Sequence, residues 1–89
     1  MSFSIKIIDV KALDDFILDV DFSDGTKKYY DVKQLFDRFP DMFYPFKDNP
    51  AIFKNVKIDC GGCGVSWNEN IDISEFELFE NGVDLKWII

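Results

Sequence analysis

The chain has 89 residues, 47% of them hydrophobic, with ten phenylalanines and a net charge of -7; that length allows one domain, and that aromatic content excludes disorder. It contains no histidine, which removes the usual general base, nucleophile activator and metal triad. The excess of acids argues against direct nucleic-acid binding, which rests on basic groups, and no apolar run approaches the ~20 residues of a membrane span.

The N-terminal stretch MSFSIKIIDVKALDD lacks a basic leader followed by an apolar core, so the expectation is a soluble, cytoplasmic protein. The acid excess is local: residues 1–58 carry ten acids and nine bases, residues 59–89 seven acids and Lys86 alone. Such a balance admits a basic protein partner, and otherwise keeps a small apolar protein in solution.

In chain order, Phe3 to Val10 alternates apolar and polar residues and shifts phase at Ile7-Ile8, which predicts a half-buried strand with a bulge or twist. Phe16, Leu18, Val20 and Phe22 alternate with polar residues after the first position, Ser23-Asp24-Gly25 turns the chain, and Lys27 to Val32 returns. Gly25 supplies the positive φ that the hairpin turn needs, so three strands in an antiparallel meander are expected.

The period then changes. Val32, Leu35, Phe36 and Phe39 fall at i, i+3, i+4 and i+7, with Asp31 and Gln34 as a capping box, and predict a short helix over 32–39 that Pro40 ends. Residues 41–48 show no clean period and read as an irregular loop. Asn49-Pro50 opens a single helical turn.

Next, Val56, Ile58 and Cys60, then Val65 and Trp67, predict two short strands meeting at Gly61-Gly62 in a two-residue turn flanked by Cys60 and Cys63. One CxxC pair supplies two of the four ligands of a zinc site, so a metal there needs carboxylates or a second chain. A redox pair wants a helix N-terminus, which a hairpin tip does not offer. The remaining reading is a glycine turn with incidental cysteines. Ser74 and Glu77 form a second capping box before Phe76, Leu78 and Phe79, and Asn81-Gly82 stops a helix over residues 75–80.

"FSDG" (Phe22 to Gly25), "YDVKQLF" (Tyr30 to Phe36), "NPAIFKNVKID" (Asn49 to Asp59) and "VSWNENIDISEFELF" (Val65 to Phe79) occur in an order that resembles a family of small bacterial domains, domain of unknown function family 2442, over roughly residues 3–80. The most specific part is Trp67, a loop, then Asp72, Ile73 and Ser74. The resemblance implies a helix packed on an antiparallel sheet, no established activity and no catalytic residues. Members resemble one half of a two-gene pair, a layout similar to toxin and antitoxin modules. Cys60 and Cys63 depart from the family pattern, and the tail from Gly82 to Ile89 runs past it.

Trp67 reads as a filler of the sheet–helix interface and Asp72 as a tie to loop backbone N–H groups, the alternative being a partner bound on that loop. In the tail, Val83, Leu85, Trp87 and Ile89 share one face of an extended segment. Such a strand either joins an edge of its own sheet or docks on another chain, as a homodimer or with a paired partner.

The expectation for residues 1–89 is therefore a single α+β domain. It has a small antiparallel β-sheet in the order β-β-β-α-β-β-α, a further strand in the tail at 82–89, and short helices on one face. Its expected role is a non-enzymatic protein-interaction module, the antitoxin-like half of a gene pair. The alternative is a metal- or small-ligand-binding domain using the Cys60/Cys63 tip. No cofactor is implied.

Overall fold

Leu18, Val20 and Phe22 alternate with Ile17, Asp19 and Asp21, and this period of two builds the first sheet. The computed structural model describes residues 5–84. In it β1 (Ile7–Ala12), β2 (Ile17–Phe22) and β3 (Lys27–Asp31) form an antiparallel meander, to which β7 (Val83–Asp84) adds beside β3. β1 starts later than the sequence suggests and carries its bulge between Ile7 and Asp9, which turns Ile8 outward at 60% exposure. The β2–β3 turn has Gly25 at φ 91° and Asp24 Oδ1 accepting from the Thr26 N–H at 2.9 Å. That side chain-to-backbone bond fixes the turn from within.

The described residues form a second antiparallel sheet, where a single sheet was expected. β4 (Lys57–Asp59), β5 (Gly64–Asn68) and β6 (Ile71–Ser74) follow one another in order. β5 is central and buried through Ser66 as well as Val65 and Trp67, while Ile58 on the edge strand β4 stays 37% exposed. β6 has the period-two pattern Ile71, Ile73, in a stretch where the sequence analysis assigns no strand.

The helix expected over 32–39 is a correction. Only Val32–Leu35 is helical, as a 3-10 turn capped by Asp31, whose Oδ1 accepts from the Lys33 N–H at 2.9 Å. The α-helix lies where a loop was expected: α1 spans Pro40–Asp48. Pro40 begins this helix, because at a first-turn position the missing N–H has no partner to lose and the fixed φ already suits the helix. A second 3-10 turn follows at Pro50–Asn55, and α2 spans Glu75–Asn81, with Ser74 Oγ accepting from the Glu77 N–H at 3.1 Å.

The core joins both sheets. Leu18, Val20, Phe22 and Tyr30 from the first meet Val65, Trp67, Ile71 and Ile73 from the second, Leu78 of α2, and Phe43, Phe46 and Phe53. Phe46 sits among Phe53 at 5.4 Å and Trp67 at 5.0 Å between ring centroids, both edge-on. Such edge-to-face pairs add to the burial of area itself.

Candidate functional site

The two faces of β2 and β3 have opposite chemistry because successive side chains alternate. Ile17 stands opposite Asp31, Asp19 opposite Tyr29 and Asp21 opposite Lys27, and Tyr29 stands opposite Val83 on β7. These residues face away from the core. Lys27 Nζ bridges Asp19 at 2.8 Å and Asp21 at 2.9 Å, which settles the charges at one end of the face. These two carboxylates hold the Lys27 ammonium well above its ordinary pKa.

The other end is an open cleft of about 650 Å³ lined by Leu13, Asp14, Ile17, Tyr29, Asp31 and Val83. Leu13 and Val83 are 38% and 41% exposed. The Leu13 N–H donates to the Ile17 carbonyl at 2.8 Å, which holds the connection from β1 beside β2. Within that connection Asp15 and Phe16 have φ of 61° and 59°. This left-handed pair is offset by the Phe16 ring, which packs on Phe36, Phe46 and Phe53.

Of the tail residues expected to share a face, Val83 lines this cleft, while Leu85, Trp87 and Ile89 lie outside the described residues. Leu13, Ile17 and Tyr29 did not emerge from the sequence as site residues. They are distant in the chain, and only the strand register brings them together; the one available signal was the apolar character of Ile17 and Tyr29 at the odd positions.

The hairpin tip is larger than expected. The β4–β5 ladder closes at Asp59 opposite Gly64, so Cys60, Gly61, Gly62 and Cys63 together make the turn. Cys60, Gly61 and Gly62 all have positive φ, at 49°, 66° and 108°. The N–H groups of Gly62 and Cys63 donate to the Asp59 carbonyl at 2.9 and 3.1 Å; amides directed there do not stabilise a thiolate or a metal-bound sulfur. Both thiols are exposed and free, and that of Cys60 is raised to about 11 by its hydrogen bond to Cys63 and by Asp59. Among the described residues, no three Cys, Asp or Glu side chains are placed to hold a metal ion.

Trp67 is 8% exposed, and its Nε1–H donates to the Phe53 carbonyl at 2.8 Å. Asp72 does not tie the loop: it is exposed on β6, and Asn68 Oδ1 takes the Asn70 and Ile71 N–H groups at 2.7 and 3.1 Å instead. Asp72 lies on the rim of a groove of about 200 Å³ floored by Leu35, Phe43 and Ile73. Across that groove Arg38 Nη1 comes within 3.9 Å of Glu77, whose Oε2 accepts from the buried Tyr30 hydroxyl at 2.6 Å.

A model of the family DUF2442, described as a protein of unknown function, matches residues 7–87. The chain belongs to the DUF2442 family. The match runs through Trp87, so the tail from Gly82 to Trp87 lies within the DUF2442 pattern, which corrects the expectation that the tail runs past it. The searches of curated proteins and of solved structures returned no match. Among the described residues no helix is long and apolar enough to cross a membrane.

Proposed function

We propose that this DUF2442 chain is a non-enzymatic protein-binding domain of the cytoplasm, the antitoxin-like half of a gene pair, and that it meets its partner through the outer face of the first sheet and the tail that begins at Val83. The observation that carries this reading is the cleft itself: Leu13, Ile17, Tyr29 and Val83 leave apolar surface together on a sheet face that also carries Asp19, Asp21 and Lys27. Clustered apolar surface rimmed by polar groups is the usual mark of a protein contact, whereas single exposed apolar residues are ordinary. Phe76 of α2, at 69% exposure, does not line this cleft.

The test is affinity capture from the native host with three baits: the parent chain, Tyr29→Ala and Phe76→Ala. The expected result is a small protein held by the parent and by Phe76→Ala and lost by Tyr29→Ala. A binding set identical for all three baits overturns the assignment of this face.

A further inference from the structure

We infer that the outer cleft receives a lysine or arginine side chain of the partner, its stem against Leu13, Ile17, Tyr29 and Val83 and its charged head at Asp14 and Asp31. This rests on the protein-binding reading and names the chemistry of what binds. The six lining residues comprise four with apolar surface, two carboxylates and no cation. Lys33 Nζ and the Lys33 N–H both go to Oδ1 of Asp31, at 2.9 Å each. Lys33 Nζ is shared with Asp15 Oδ2 at 3.1 Å, and the Asp14 side chain has no hydrogen-bond or ion-pair partner among the described residues.

Each class of occupant meets these groups differently. A purely apolar side chain would strip water from two carboxylates without replacing their hydrogen bonds, which is costly. An acidic one is repelled. A second copy of the chain, docked through the same face, sets carboxylates against carboxylates in a protein of net charge -7. Nucleic acid carries the wrong sign. A lysine or arginine answers both halves of the cleft, because its methylene stem covers apolar surface while its head stays with the acids at the rim. The Tyr29 ring adds a face on which a cation can rest.

Two tripeptides, acetyl-Leu-Lys-Leu-amide and acetyl-Leu-Glu-Leu-amide, serve as probes in a titration of the 15N-labelled chain followed by amide shifts. The lysine peptide is expected to move the amides of residues 13–17, 29–31 and 83, and the glutamate peptide to leave them in place. Asp14→Asn/Asp31→Asn keeps an oxygen for the Lys33 N–H. It should melt like the parent and bind the lysine peptide about ten-fold more weakly, with a flatter salt dependence. No shift with the lysine peptide, equal shifts with both peptides, or undiminished binding by the double variant overturns the inference. The capture experiment separates the two levels: an acidic partner lost by Tyr29→Ala leaves the docking face standing and removes the cationic occupant, whereas a partner indifferent to Tyr29 removes both.

Discussion

Tyr29 and Tyr30 are neighbours in one strand with opposite surroundings. Tyr30 is fully buried on the face that meets α2 and the second sheet, and its hydroxyl donates to Glu77. Tyr29 stands on the other face beside Asp19 and Val83 and lines the open cleft. Alternation alone separates them, so one short strand supplies the core with one set of side chains and the surroundings with another. The inner face holds the fold together; the outer face is free to specialise.

The sharpest way to break this contrast is to truncate both rings. Tyr30→Ala empties a fully buried site and should cost about 3 to 5 kcal/mol, enough to leave a domain of this size largely unfolded by circular dichroism. A folded Tyr30→Ala protein would refute the inner-face assignment.

Gly62→Ala comes next. A Cβ there would lie 2.8 Å from the Ile7 carbonyl oxygen, at φ 108°. Neither the backbone it meets nor the backbone it sits on can yield cheaply, so a loss of about 2 kcal/mol is expected in denaturant titration.

Tyr30→Phe probes the hydroxyl alone and should cost about 1 to 2 kcal/mol near neutral pH. Burial, and then the hydrogen bond to Glu77, hold the Tyr30 phenol well above its ordinary value. An acid raised in the folded state keeps its proton there while the unfolded chain loses it. Its stabilisation is thus complete below about pH 10 and declines as the pH rises further. Lys27, raised by Asp19 and Asp21, acts in the same direction. The parent chain should therefore lose stability above about pH 10, and Tyr30→Phe should lose it less steeply. Parallel curves would show that the phenol has no such role.

Tyr29→Ala should be the mildest, costing about 1 kcal/mol or less in thermal melting while abolishing partner capture. A large stability loss with capture intact would invert the proposed division between the faces.

Much of the inner face was legible beforehand, because Leu18, Val20 and Phe22 repeat at the period of a strand. So was α2, through Ser74 and the apolar positions after it. α1 was not, because a proline after an apolar run marks the end of one helix as readily as the start of the next. Phe39, Met42, Phe43 and Phe46 in fact recur at helical spacing, and proline at the start of a helix removes no hydrogen bond. The split into two sheets was hidden as well, since β6 has only four residues. The cleft was the least legible feature: it joins Leu13, Ile17, Tyr29 and Val83 through strand register, and no local pattern in the chain encodes that neighbourhood.

The seat of Gly62 against Ile7, where the Ile7 N–H donates to the Gly62 carbonyl at 2.9 Å, also governs how this sequence can change over time. Exposed hairpin tips ordinarily absorb insertions with little effect. Here an added residue between Gly61 and Cys63 would pull the second sheet's turn off the first sheet's opening strand. An inserted alanine should appear as faster hydrogen exchange at the Ile7 amide. The side chain at Cys63 has more room to drift than that at Cys60, which sits at φ 49°, and the length of the loop that carries them has least.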